Sequence, residues 1–205
     1  MKLRSKKVIS ALAVMSLAGA LALPSVALAR YDTAPRAALA TVPATTPVVA
    51  DAQLAADLSF MREEEKLAHD VYTALYEKWG ARVFTNIAAS EQRHTDTIAL
   101  LLERYGVDDP SEGKGIGEFS DPELQKLHDD LVARGSVSLT EALKVGKLIE
   151  EVDIADLDER IARTTQADVL AVYKNLRAGS VNHLRAFNAQ LSGTTGGAAR
   201  GRRVR

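Results

Sequence analysis

No cysteine occurs in this chain of 205 residues, and that absence removes several chemistries at once. Disulfides, thiolate zinc sites, iron–sulfur clusters and cysteine nucleophiles are excluded. So are an appended rubredoxin-type iron centre and a lipid-modified bacterial leader, both of which require the thiol. An excess of basic charge is also missing. The 26 Lys and Arg face 27 Asp and Glu, and Lys2, Arg4, Lys6 and Lys7 are the only charges before residue 30. Without those four the net charge is −5, and nothing suggests general nucleic-acid binding. A strand–turn–helix elbow presenting a nucleophilic serine is absent as well, so a Ser-His-Asp hydrolase finds no support. Ser180 and His183 merely share one helix face.

The first 29 residues have the pattern of a secretory signal peptide: a basic start, the apolar run Val8 to Leu23, and the small-x-small site Ala27-Leu28-Ala29. The apolar run has 16 residues, short of the roughly 20 that span a bilayer. Cleavage after Ala29 is therefore expected, with a secreted or periplasmic product and no stable membrane span afterwards. Residues 30–51, with Pro35, Pro43 and Pro47 among Ala, Thr and Val, read as an extended, disordered linker. Residues 52–192 read as the folded domain. Residues 193–205, Gly/Thr-rich and ending in Arg200, Arg202, Arg203 and Arg205, read as a disordered basic tail.

The domain reads as all-α. Asp51 is a helix cap, and Leu54, Leu58, Met61, Glu65, Ala68, Tyr72, Leu75 and Trp79 then recur in steps of four and three up to a stop at Gly80. Glu63 and Glu64 fall to the side of this seam and are expected in solvent, whereas Tyr72, Tyr76 and Trp79 are expected in the core. A second helix is expected from a cap at Thr85 to Tyr105, stopped by Gly106. Ser120-Asp121-Pro122-Glu123 opens a short helix closed by Gly135, on which His128 should be exposed. The connection carrying it is far longer than a bundle turn requires. Ser138 with Glu141 caps a third long helix with the seam Leu139, Leu143, Gly146, Glu150, Asp153, Leu157, Ile161. Thr165 with Asp168 should cap a fourth, with the seam Val169, Val172, Leu176, Ser180, His183, Phe187, ended by Gly193.

Each long helix thus carries a polar interruption near the middle of its apolar line: Glu65, Glu91 with His94, Glu150 with Asp153, and His183. Buried carboxylates and imidazoles are costly unless paired or bound to a cation. The four acids would balance two divalent ions, with one imidazole for each. Carboxylate and imidazole ligands without sulfur suit iron or manganese and, less selectively, zinc. Any one of these residues could be a rim or hydrogen-bonded core side chain; four interruptions at comparable height point to a shared site. Tyr72, Ser180 and His69 are expected to border it, with His69 off the centre of the seam.

EEEKLAHDVY (63–72), SEQRH (90–94), KLIEEVDIADL (147–157) and NHLRAF (182–187) resemble the ferritin-like superfamily, the group of rubrerythrin, bacterioferritin and ferritin. They are closer still to a branch of it, often secreted, known as a domain of unknown function. The resemblance implies a ferritin-like four-helix bundle, with the short helix in a long crossover between helices 2 and 3. It also implies a dinuclear centre of two iron ions, with manganese or zinc as substitutes, and oxygen or peroxide as reaction partners. Glu65 and Glu150 would be terminal ligands, Glu91 the bridge, and His94 and His183 one ligand per metal. Ser180 departs from the pattern, because a rubrerythrin-like fourth helix has a glutamate three residues before the histidine. Two functions stay open: Fe(II) oxidation by a di-iron oxidoreductase, or a non-catalytic envelope module holding a single structural ion for binding or sensing. A homo-oligomer formed through the bundle is compatible with either.

Overall fold

The computed structural model describes residues 49–200, with side chains placed for 49–193. The expected leader, nearly all of the linker and residues 201–205 lie outside the described residues. Five helices follow in order: α1 Ala52–Trp79, α2 Arg82–Tyr105, α3 Pro122–Gly135, α4 Leu139–Arg163 and α5 Ala167–Arg200. No strand occurs among the described residues, and none of their helices is long and apolar enough to cross a membrane.

Most boundaries follow local chemistry. Asp51 accepts from Leu54 N, and Ser138 accepts from Glu141 N, each satisfying a backbone donor that the first helical turn leaves open. Gly80 and Gly106 end α1 and α2 at φ +63°, a left-handed conformation that only glycine adopts cheaply. Three starts or ends differ from expectation. Helix α2 begins at Arg82, because Phe84 packs its ring against Tyr72 and Phe187 from inside the helix, and Thr85 is consequently helical. Asp168 caps nothing; its carboxylate instead accepts from the Tyr105 hydroxyl (2.7 Å) and pairs with Arg104 (2.9 Å). Helix α5 continues through Gly193 to Arg200, since that glycine keeps an ordinary φ.

Helices α1 and α2 pack along each other, as do α4 and α5; the pairs meet through α2 with α5 and α1 with α4. The apolar interior divides into two clusters. One gathers Leu67, Val71, Tyr72, Leu75, Phe84, Ile87, Leu143, Ile149 and Phe187. The other gathers Leu54, Leu58, Met61, Ile98, Leu101, Leu157, Val172 and Leu176. Following each chain through the clusters gives the direction of its helix. α1 and α5 run from the second cluster to the first, whereas α2 and α4 both run from the first to the second. The connection between α2 and α4 must therefore travel back along the molecule, which explains its length. Its anchors, Phe119, Leu124 and Leu131, lie in the first cluster. Gly146 permits the tight approach of α4 to α5, since a Cβ there would stand 2.3 Å from Phe187 Cε1.

Neighbours cover more of α1 than the seam indicates, the crossover beside Glu63 and α4 beside Glu64. Glu63 and Glu64 are buried, not solvated. The Glu63 carboxylate accepts from the backbone N–H groups of Ser120 and Asp121, placing a negative charge at the start of α3, where it is favoured. Burial raises the Glu63 pKa above the ordinary carboxylate value, against those two hydrogen bonds. Tyr76, in contrast, is exposed. His128 is largely covered, with its ring against Phe119 (centroids 5.4 Å) and near Gly117.

Candidate metal centre

The polar interruptions occupy the level between the two apolar clusters. On α1, Glu65 stands between Met61 and Leu67; on α2, Glu91 and His94 stand between Ala88 and Ile98. On α4, Glu150 and Asp153 lie between Ile149 and Leu157; on α5, His183 lies between Leu176 and Phe187. All six are buried. Helical spacing alone turns Glu91 and His94 to the same side, and their Oε2 and Nδ1 atoms are 2.7 Å apart.

Glu91 is the centre of the arrangement. Its Oε2 faces His94 Nδ1, and its Oε1 stands 2.7 Å from His183 Nδ1. Glu65 Oε2 completes the first side at 3.2 Å from His94 Nδ1, and Glu150 Oε2 the second at 3.5 Å from His183 Nδ1. Two triads result, Glu65–Glu91–His94 and Glu91–Glu150–His183, each with its ligand atoms within 4.8 Å of one another and each fully buried. The 2.7 Å approach of Glu91 Oε1 to His183 Nδ1 is not aligned as a hydrogen bond, and both atoms are buried without a hydrogen-bond partner. Glu65 Oε1 and Asp153 Oδ1 share that condition. Carboxylates and imidazoles converging in a buried space, with several of their atoms lacking an aligned hydrogen-bond partner, fit a shared cation, since an unsatisfied buried polar atom is otherwise costly. The donor set therefore suits one metal ion per triad.

The electrostatics follow from burial and mutual proximity. Burial pushes the Glu91 carboxyl up, but the imidazoles of His183 and His94 outweigh it and hold it well below the carboxylate range. Burial alone would lower His183; Glu91 and Glu150 reverse this and lift it to about 10, and Glu91 with Glu65 does the same for His94. Glu65 is pushed up to about 7 chiefly by burial, against the pull of His94. Burial also raises Glu150 and Asp153, the latter with repulsion from Glu65 and Glu150.

The bordering residues are distributed unevenly. The Tyr72 hydroxyl donates to Glu150 Oε1 at 2.7 Å, orienting that carboxylate so that Oε2 faces His183. Ser180 is buried against Asp153 and donates to Leu176 O at 2.9 Å. Asp153 lies beside the cluster but in neither triad. His69 does not border the cluster: its Nδ1 lies 2.8 Å from Asp70 Oδ1 on a partly exposed face of α1.

Two positions next to the polar residues escape a reading by seam. Gly179 is one: a Cβ there would lie 2.8 Å from both Cε1 and Nε2 of His94, so the missing side chain makes room for that ring. Glu64 is the other. It is buried beside Asp156, Asp153 and Arg160, and burial with the two aspartates raises its pKa well above the usual value. The acidic run 63–65 was a signal for neither, because only its third member falls on the helical seam.

The family model described as "Uncharacterized protein domain (DUF2202)" matches residues 55–200. The chain is similar to "Uncharacterized protein MJ0754" of Methanocaldococcus jannaschii, with 51% identity over 132 residues, which is 64% of this chain and 71% of the relative. In three dimensions it is similar to the solved structure titled "Crystal structure of hypothetical protein MJ0754 from Methanococcus jannaschii DSM 2661". That comparison gives a TM-score of 0.72 at 44% identity and covers 76% of this chain and 87% of the other.

Proposed function

The chain belongs to the DUF2202 family, and from its buried site we propose that it is a ferritin-like four-helix bundle binding a dinuclear metal centre, filled by iron, that oxidises Fe(II) with oxygen or peroxide. One observation carries the reading: Glu91 offers one carboxylate oxygen to each of two imidazoles, at 2.7 Å in both cases. A carboxylate that faces two nitrogen ligands from opposite oxygens is placed to bridge two ions.

Glu65 and Glu150 would hold the ions as terminal ligands, one on each side, and His94 and His183 would offer one Nδ1 each. Tyr72 holds Glu150 by its second oxygen, which fixes the rotamer of a ligand that would otherwise have several. Asp153, with Ser180 against it, is a further carboxylate within reach of the centre. The two apolar clusters above and below keep bulk water away, so charge inside is screened weakly. An iron pair held there would supply one-electron chemistry toward oxygen or peroxide. Export is part of the proposal, on the pattern of the first 29 residues, and places this activity in the cell envelope or outside the cell.

Ser180 favours attention to a second reading, a non-catalytic module with one structural ion, because a hydroxyl replaces a fourth-helix carboxylate. Elemental analysis and aerobic Fe(II) addition separate the two. The first reading expects two ions per chain and a ferric charge-transfer absorbance that Glu91→Ala abolishes. One ion per chain with no turnover supports the second, and equally slow iron oxidation by both proteins refutes the enzymatic reading.

A further inference from the structure

A second polar line leaves the metal centre between α1 and α4 and runs past the second apolar cluster toward one end of the bundle. On α4 it consists of Asp153, Asp156 and Arg160, which steps of three and four place on one helix face. On α1 it consists of Glu64 and, two turns earlier, Asp57. Glu64 stands against Asp156, Asp153 and Arg160. The Arg160 guanidinium donates to Asp156 Oδ1 at 3.0 Å and lies 4.4 Å over the Phe60 ring. At the outer end, Arg163 donates to Asp57 Oδ2 at 2.8 Å and to Glu159 Oε1 at 2.6 Å.

Folding alone does not account for this line. Glu64, Asp153 and Asp156 are more than nine-tenths buried, at 8%, 6% and 5% exposure. Each nevertheless keeps one carboxylate oxygen, Glu64 Oε2, Asp153 Oδ1 and Asp156 Oδ2, buried without a hydrogen-bond partner, an unfavourable condition. The residual exposure also has a pattern. Leu58, Met61 and Leu157 on the same two helices keep 0%, and the ligands Glu65, Glu91, Glu150 and His183 keep at most 2%. Along this seam the polar side chains, not the apolar packing, reach solvent. Helices α1 and α4 also meet less closely than the helices within each pair, so the seam is where the bundle parts most easily.

We propose that this line is the entry lane of the metal centre: Glu64 and Asp156 receive a divalent cation between α1 and α4, and Asp153 hands it to the triads. The proposal rests on the dinuclear reading above and assigns a role to residues outside both triads. Carboxylate oxygens suit hard divalent ions, and three unpartnered ones at successive levels offer such an ion a ligand at each step inward. Asp156 gives one oxygen to Arg160 and keeps Oδ2 for the ion. Arg160 in turn balances part of the acidic charge before the ion arrives. An acidic cleft with weakly polar walls concentrates cations and speeds their association.

The test is stopped-flow loading of chelator-stripped, full-length protein with Co(II), whose ligand-field absorbance reports arrival at the triads. In Glu64→Gln and in Asp156→Asn the loading rate should fall about tenfold or more, the scale on which charge focusing acts on association. The final spectrum and the number of Co(II) ions bound should match wild type. Asp156→Glu should restore most of the rate, and Asp130→Asn, on an exposed face of α3, should load like wild type. Loosened packing would speed entry, so slower loading to the same end point is the mark of a lane. The two substitutions lie on different helices, so either one tests the lane if circular dichroism shows the other unfolded. Unchanged rates in the folded variants would overturn the lane and leave the dinuclear reading standing. A changed final spectrum or a lower ion count in a folded variant would overturn it too, by making Glu64 or Asp156 part of the centre itself. No Co(II) uptake by wild type would refute the dinuclear reading and the lane with it.

Discussion

The rings of His94 and His183 lie 5.7 Å apart between centroids with a 27° angle between their planes, and each presents Nδ1 to a different oxygen of Glu91. These residues come from helices of opposite pairs, α2 and α5, whose mutual contact is thin compared with the contact inside each pair. The centre therefore joins the two halves of the molecule where apolar packing is weakest. Binding a cation there should tighten the whole fold.

Chelation is the direct check of that coupling. At metal concentrations about 100-fold above the dissociation constant, a ligand bound only by the folded state adds about 2.7 kcal/mol. Protein loaded with iron or manganese is expected to melt several degrees higher than after treatment with a chelator. Glu91→Ala should show no difference between the two conditions. Identical melting curves for treated and untreated wild type would argue that the site contributes nothing to stability.

Gly179→Ala should damage the centre while sparing the helix. Alanine is favoured over glycine in a helix interior by about 1 kcal/mol, but its Cβ would meet His94 at 2.8 Å. Overpacking of this kind costs about 1–3 kcal/mol. Far-UV circular dichroism should be unchanged and the metal content of the Glu65–Glu91–His94 side reduced. Full loading in this variant would show that the ring has room to shift.

Tyr72→Phe removes the donor to Glu150 Oε1 and leaves a buried carboxylate oxygen without it. The expected loss of stability is about 1–3 kcal/mol, and loss of such an outer partner weakens metal binding by about 10–100-fold. Denaturant melts and metal titration read the two effects separately. A variant equal to wild type in both would remove Tyr72 from any role at the site.

Asp70 should contribute to acid sensitivity. Burial would raise its carboxyl, but hydrogen bonds from His69, Lys66 and the Gly117 N–H together hold it below the ordinary value of 3.8. A lowered folded-state pKa means stability that is present above the unfolded pKa and disappears as pH falls through the folded one. The destabilisation caused by Asp70→Asn, measured by thermal melting, should therefore be full at pH 7 and shrink below about pH 4. A deficit that stays constant from pH 7 to pH 3 would contradict this.

Core truncations should separate packing from chemistry. Phe187→Ala removes a fully buried ring that touches Tyr72, Phe84 and Gly146 and should cost about 3–5 kcal/mol. Leu100→Ala, on an exposed face, should stay within about 0.5 kcal/mol of wild type. Denaturant unfolding measures both, and a large loss from Leu100→Ala would reveal a surface that is covered in solution.

The all-helical class, the end of α1 at Gly80, the cap at Ser138 and the height of the polar residues in each seam were determined by the amino-acid order alone. Those features depend on periodicity and on backbone donors satisfied within one turn, which are local. The polar line Glu65, Glu91, His94, Glu150, Asp153 and His183 was legible for the same reason: each residue breaks an apolar period at a definite place. What required the tertiary structure is everything set by a neighbour distant in sequence. Glu63 is buried because the crossover folds back over α1, Glu64 because α4 packs against it, and Tyr76 is exposed because none of the described residues covers its side of the same helix. Thr85 lies inside α2 because Phe84 is drawn onto Phe187, about a hundred residues later. Gly179 matters because the His94 ring crosses from another helix into the space its side chain would fill. The grouping into two triads that share Glu91 was likewise decided by packing, since spacing turns a side chain to a face of its helix but does not choose which atoms meet across the interior.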